Sequence, residues 1–299
     1  MYPFLIALKL PFHIVDVFAE EKLQGNQLAV FNGVDGVSPG LMQRIAKEMN
    51  YSESTFITVV DTKRHVYKVR IFTPESELPF AGHPTLGTAY VIQQTIIQEE
   101  TPSLTLDLEA GMIPVTFSYE DGEPDVLWMR QLNPVFGRTH PPKPIAEMIG
   151  LKPEDIDPDY PVQEVSTGVP FFMIPLRDGD ALKQVKLDAE KLKTYTRDTD
   201  AKWPHMFCRE PMNPDNHLKC RMITTFTEDP ATGSANGCLA GYLVKHRYLD
   251  ADTIDVRVEQ GAEVGRPSLI YLRAAQRGDD EIEVNVGGRC AIVAHGELV

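Results

Sequence analysis

No cysteine precedes Cys208. All four, Cys208, Cys220, Cys238 and Cys290, lie in the second half of the chain, and none forms a Cys-x-x-Cys pair. That usage excludes a disulfide framework and a zinc ribbon, and it points to a reducing compartment, the cytoplasm. No apolar run approaches the ~20 residues of a membrane span. Met1–Phe12 is apolar but lacks a basic start and a small-residue cleavage site, so it reads as the lead-in to a strand and not as a signal peptide. Positive charge is scarce: 29 Lys and Arg stand against 43 Asp and Glu, a net charge of −14. The balance argues against nucleic acid and anionic membrane as partners; its plain meaning is solubility.

Several motifs are also missing. There is no Gly-x-x-x-x-Gly-Lys-[Ser/Thr] loop and no Gly-x-Gly-x-x-Gly, so nucleotide binding has no support. Gly233-Ser234 lacks the rest of a Gly-x-Ser-x-Gly elbow, which removes the usual hydrolase nucleophile. Cys208, His217 and Cys220 match no common metal spacing. No lysine stands in an evident Schiff-base setting. Neither a metal nor an organic cofactor is expected. Low-complexity sequence is absent as well.

What is present is a repeat. Val66–Ile92 and His217–Leu243 align without a gap at one offset of 151 residues, placing Lys68 on Lys219, Arg70 on Arg221, Thr73 on Thr224, Glu77 on Glu228, Pro79 on Pro230, Gly82 on Gly233 and Ala89 on Ala240. Chance gives roughly one or two such identities over this length. Each copy has a strand-like run, a short acidic loop ending in Pro-x-x-Gly, and then an uncharged segment, Thr85–Ile92 or Ala235–Val244. A segment apolar or small on all sides predicts a helix enclosed by protein. Pro84 suits the first helical position, and Ser234 is a favoured N-cap. Free N–H groups and the positive dipole end at the two helix starts suit a carboxylate. The offset is about half the chain, so the pattern predicts two copies of one unit with a site where they meet.

The chain length suits two domains. Ser38-Pro39 predicts a helix to about Met49, with Leu41, Ile45 and Met49 at helical spacing. Runs of two-residue period predict strands at 104–108, 113–119 and 126–130 and again over the last 45 or so residues. Ser166–Leu176 reads as strand around Gly168, Asp188–Tyr195 as helix, and Phe207–Asn216 as loop. A Pro-rich passage and short helix at 141–151 marks the expected boundary, giving domains 1–145 and 146–299. The fold class is α+β: two pseudo-symmetric halves, each a mostly antiparallel, barrel-like sheet around one central helix.

Three side chains are candidates for chemistry. His83, at a helix start between Gly82 and Pro84, is expected to be neutral at pH 7, able to exchange one proton or orient a carboxylate. The bland alternative is a histidine satisfying a loop carbonyl. Asp229, in Glu228-Asp229-Pro230, is either functional or an exposed turn acid. Glu53, among Ser52, Ser54, Thr55 and Phe56, enters a strand beside apolar residues. Partial desolvation there would raise its pKa and suit a general acid/base; the alternative is an outward-facing strand acid.

The ordered segments Val15-Asp16-Val17-Phe18, Gly25-Asn26, Ser52-Glu53-Ser54-Thr55-Phe56, Phe72-Thr73-Pro74, Leu78-Pro79-Phe80-Ala81-Gly82-His83-Pro84-Thr85, Gly168-Val169-Pro170, Glu228-Asp229-Pro230-Ala231-Thr232-Gly233-Ser234-Ala235, Gln260-Gly261 and Val286-Gly287-Gly288 resemble the PhzF, or phenazine-biosynthesis-like, family along nearly the whole chain. Gln27 departs from the family's usual proline, at what reads as a turn. The resemblance implies a diaminopimelate-epimerase-like fold with the active site between the halves, and a cofactor-free isomerase acting by proton transfer. It implies Glu53 as the acid/base. It assigns His83, Asp229, Gly82, Gly233 and Ser234 to the substrate's carboxylate and amino groups, and it suggests a homodimer. Related epimerases use a cysteine at each helix start. Here those places hold Gly82-His83 and Gly233-Ser234, so a two-thiol mechanism is excluded, and Cys238 reads as core. The expected reaction is one-base isomerisation of a small amino- or hydroxy-carboxylic acid. The rival readings are another lyase or isomerase outcome at the same site, or a non-catalytic binding or adaptor protein.

Overall fold

A computed structural model describes residues 9–278 and 281–299. The lead-in expected over the first eight residues lies outside the described residues. The chain packs as two compact units. One runs through Met129 and includes Gly288–Val299; the other is Arg130–Gly287.

The first unit contains β1 (Leu10–Val17), β2 (Asn26–Phe31), α1 (Pro39–Met49), β3 (Glu53–Asp61), β4 (Val66–Phe72), β5 (Glu77–Leu78), α2 (Gly82–Ile92), β6 (Ser103–Leu108), β7 (Gly111–Glu120) and β8 (Glu123–Arg130). Strands β1 and β2 are antiparallel, β2 and β3 parallel, β3 and β4 antiparallel, β4 and β6 parallel, and β6, β7 and β8 antiparallel in turn. Ser38 caps α1, accepting from the Leu41 N–H, with Pro39 in the first turn as the sequence predicts. Met42 and Ile45 of α1 bury against Phe31, Phe56 and Phe72. The Phe31 and Phe56 rings stack at 4.9 Å. Every residue of α2 except Tyr90 is buried. Gly87 makes that possible: a Cβ there would sit 2.7 Å from Val17 and 2.8 Å from Leu28, inside their van der Waals surfaces.

The second unit contains β9 (Val135–His140), α3 (Pro142–Met148), β10 (Val162–Ser166), β11 (Pro170–Pro175), α4 (Gly179–Gln184), α5 (Ala189–Tyr195), β12 (Trp203–Cys208), β13 (Leu218–Ile223), β14 (Glu228–Asp229), α6 (Gly233–Lys245), β15 (Thr253–Gln260), β16 (Ser268–Gln276) and β17 (Ile282–Gly288). Pairing from β10 to β16 follows the order of β1 to β7: β10 and β11 antiparallel, β11 and β12 parallel, β12 and β13 antiparallel, β13 and β15 parallel, β15 and β16 antiparallel. In α6 only Ser234 and Lys245 are not buried.

The packing differs from the expected division at 145/146. The strand β9, which precedes that point, pairs with β10 and belongs to the second unit. The last strand, β18 (Cys290–Leu298), pairs with β1 and belongs to the first. Three further elements depart from expectation. Ser166–Leu176 is two strands, β10 and β11, separated at Gly168, whose φ of +131° a side chain would resist. Phe207 and Cys208 end a strand, β12, that contains Pro204 and is buried on both faces, so it carries no alternating signal. Helix α4 is only six residues long and has no periodic pattern to read. Among the described residues no helix is long and apolar enough to cross a membrane.

Candidate active site

In the first unit, α2 begins at Gly82, with Ala81 as N-cap, so His83 and Pro84 are second and third in the helix, not at its boundary. Pro84 is still tolerated, because the first-turn N–H groups have no partner within the helix. His83 is 6 % exposed. Burial drives its pKa down to about 3, against a smaller upward pull from a hydrogen bond to the Gln27 backbone. The imidazole is thus neutral, as expected, though burial is the main cause. Gln27 lies in β2, not in a turn, and the backbone group it offers His83 is a carbonyl that a proline would supply equally. The bland expectation for His83, a satisfied carbonyl, holds for one ring nitrogen alone.

The other nitrogen faces the candidate acid/base. Glu53 opens β3 beside Leu28 of β2, and its Oε2 lies 3.3 Å from His83 Nε2. That nitrogen makes no hydrogen bond among the described residues. With the ring proton directed at the Gln27 carbonyl, Nε2 presents a lone pair. A lone pair beside an ionised carboxylate oxygen repels it, whereas a carboxyl proton between them would be attracted to both. His83 Nε2 is therefore placed to accept the hydrogen bond of a protonated Glu53.

In the second unit, Asp229 ends β14 and is half-buried. Its Oδ2 accepts a 2.6 Å hydrogen bond from the Thr232 hydroxyl. Thr232, not Ser234, is the N-cap of α6. Gln260, at the end of β15, ties this loop to the sheet: its Nε2 donates to the Asp229 carbonyl at 2.8 Å and to Thr232 Oγ1 at 2.9 Å. Its Oε1 accepts from the Thr232 N–H at 3.1 Å and from Asn236 Nδ2 at 3.0 Å. Gln260 and Asn236 are buried, so each of these bonds avoids the penalty of an unpaired buried group. The Asp229 carboxylate is thus tied to Thr232, the residue before Gly233.

The six residues expected at the site fall into two groups: Glu53, Gly82 and His83 in one unit, and Asp229, Gly233 and Ser234 in the other. Thr232, Asn236 and Gln260 were not singled out as functional. Gln260 had a signal, since Gln260-Gly261 belongs to the family pattern. Asn236 had none beyond its place inside an uncharged helix. Cys238 is buried, and burial raises its thiol to about 11, which leaves it protonated and inert.

The chain matches the family described as phenazine biosynthesis-like protein (PhzC-PhzF) over residues 15–296. A trans-2,3-dihydro-3-hydroxyanthranilate isomerase from Pseudomonas aeruginosa is 34% identical over 286 residues, covering 95% of this chain and 97% of the relative. An uncharacterised isomerase from Mesorhizobium japonicum is 33% identical over 297 residues, with 95% and 97% covered. The crystal structure of a Bacillus anthracis PhzF-family protein superposes with a TM-score of 0.88 at 25% identity, covering 97% of this chain and 99% of that one. Isomerase is the enzyme class shared with these named relatives. By its sequence over almost its whole length and by its mixed α+β fold, the chain belongs to the phenazine biosynthesis-like family.

Proposed function

We propose that this protein is a cofactor-independent isomerase that moves a proton on a small amino- or hydroxy-carboxylic acid, cyclic or unsaturated, by one-base catalysis. The observation that carries this reading is the 3.3 Å approach of a neutral His83 to Glu53. In the reaction Glu53, as carboxylate, takes a proton from a carbon whose electron pair can spread into an adjacent unsaturated system. The carboxyl so formed returns the proton to another carbon on the same face, leaving the atoms of the substrate unchanged in number. His83 steadies the protonated form of Glu53 between the two steps. Gly82, Gly233 and Ser234, at two helix starts, bind carboxylate oxygens, and Asp229 takes an amino group.

The identical pairing order in the two units, and their matching Arg70–Glu77 and Arg221–Glu228 pairs, support reading them as pseudo-symmetric copies, each sheet wrapped around its buried helix. We also propose a homodimer, which the family resemblance suggests, in the cytoplasm, which the free cysteines suggest; light scattering giving a monomer at micromolar concentration would refute the dimer. The functional test is incorporation of solvent deuterium into trans-2,3-dihydro-3-hydroxyanthranilate and a panel of other unsaturated amino and hydroxy acids, followed by NMR. Exchange into one of them, with a rearranged double bond, is expected. A protein that binds such acids yet neither exchanges a proton nor moves a double bond would be the binding or adaptor protein instead.

A further inference from the structure

One buried polar side chain of the second unit has no structural use. Gln131 follows β8 and is 6 % exposed. Its backbone N–H is spent on the Val284 carbonyl at 2.9 Å. Among the described residues neither Oε1 nor Nε2 of its side chain has a hydrogen-bond partner. Its neighbours are already occupied: Thr167 Oγ1 lies 3.6 Å from Cys238 Sγ, and that thiol reaches the Val169 carbonyl at 3.5 Å. A buried amide with both ends unpaired is disfavoured, and a bound group that pairs both ends is one way to relieve it.

The amide lies against Gly237, one turn inside α6. A Cβ on Gly237 would sit 3.0 Å from Gln131 Cγ and 3.1 Å from its Oε1. Cα–Cβ bonds in a helix tilt toward its N-terminus, and residues three and four apart share a face. The Gln131 amide therefore overlies the face formed by Gly233, Ser234 and Gly237, and glycine at 237 is what leaves room for it. Ser234 is the one residue in the first turn of α6 that is not buried. Ser234 lies one turn before Gly237 on the same side of the helix.

We propose that Gln131 is a specificity-determining contact that reads a hydroxyl or amino group next to the carboxylate held by the start of α6. This rests on the functional reading above and narrows it to acids with an adjacent donor. The chemistry follows from the amide's two ends. Nε2 donates to a carboxylate oxygen, and Oε1 accepts from a neighbouring O–H or N–H. A plain carboxylic acid satisfies only the first. A site with a buried acceptor left unpaired discriminates strongly against a ligand that lacks the matching donor.

The test is calorimetric titration of the full-length protein with 2-aminobenzoate, salicylate and benzoate. Wild type should bind the first two more tightly than benzoate. Gln131→Met, which keeps shape but neither donates nor accepts as an amide does, should weaken their binding by roughly 10-fold or more and bring salicylate close to benzoate, while 2-aminobenzoate keeps the share of its advantage that Asp229 supplies. Melting of the unliganded variant supplies a second readout. Because the amide is unpaired, Gln131→Met should melt at the same temperature as wild type or higher, whereas loss of a structural hydrogen bond would lower it. Gln131→Leu serves if the Met variant fails to fold. A full preference for salicylate over benzoate that survives in both variants would overturn the role of Gln131 while leaving the isomerase reading intact. Equal binding of all three acids by wild type would overturn it likewise. No binding of any acid would overturn the carboxylate site itself, and this inference with it.

Discussion

His83 Nε2 stands 3.3 Å from Glu53 Oε2 and belongs to a neutral ring. This contact distinguishes Glu53 from an ordinary strand acid: it ends against a lone pair in a buried setting. Glu53→Gln keeps the shape and places an amide donor against that lone pair, so folding and ligand affinity should change little. Turnover should fall by about 10²–10⁴-fold, the usual worth of a positioned acid/base. Single-turnover proton exchange and ligand affinity measured together decide it. Near-normal exchange in the variant would transfer the proton to another group.

Burial holds both His83 and His205 at about 3. In the unfolded chain a histidine takes up a proton near 6.5. The folded state refuses that proton until about pH 3. Each histidine thus contributes stability that is fully present above about pH 6.5 and is lost as pH falls toward 3, at up to about 1.4 kcal/mol per pH unit. His205 is fully buried in β12, with neither ring nitrogen hydrogen-bonded among the described residues. His205→Leu should therefore fold at pH 7 and show a shallower decline of urea stability between pH 6.5 and 4.5, by about one proton. Parallel declines in variant and wild type would show that His205 titrates normally in the folded protein.

Much of this was legible because it is local. The cap at Ser38, the two-residue period of β6 and β15, and the uncharged run of α6 each reflect chemistry within a few neighbouring residues. The repeat reached further, since Arg70 with Glu77 and Arg221 with Glu228 recur at one spacing and form the same bidentate pair. What stayed hidden depends on distant partners. Nothing near Gln260 says that its amide will be shared among Thr232, Asn236 and the Asp229 carbonyl. Nothing around Gln131 says that it will be buried without a partner. The strand β12 was hidden for a different reason: enclosed on both faces, it loses the alternation that marks a strand, and Pro204 reads as a breaker.

The two arginine pairs differ in what else they hold. Arg221 binds Glu228 through Nε and Nη2 and also donates from Nη1 to the Leu182 carbonyl at 2.8 Å, near the end of α4. Its side chain is 9% exposed, against 27% for Arg70. Removing it strands a half-buried carboxylate and a buried carbonyl together. Arg221→Met should cost about 3 kcal/mol or more, and Arg70→Met about 1 kcal/mol or less, read from urea unfolding at pH 7. Equal losses would mean that the buried carbonyl contact adds nothing.

Thr232 offers a way to separate how Asp229 is held from whether its charge is needed. The Thr232 hydroxyl donates to Asp229 Oδ2 and accepts from Gln260 Nε2. Thr232→Val keeps the volume and the branched Cβ but removes both bonds. Gln260 retains its bond to the Asp229 carbonyl, so the loop should stay in place while the carboxylate swings more freely. Asp229→Asn keeps the side chain's shape and loses its charge. If Asp229 binds a substrate amino group, Asp229→Asn should weaken affinity and turnover together. Thr232→Val should weaken affinity by a smaller factor, roughly 5-fold, as expected for one hydrogen bond. The measurement is ligand affinity and single-turnover rate for both variants, with melting as a control for the loop. Full affinity in Asp229→Asn would remove Asp229 from substrate binding and leave it a structural acid of the turn.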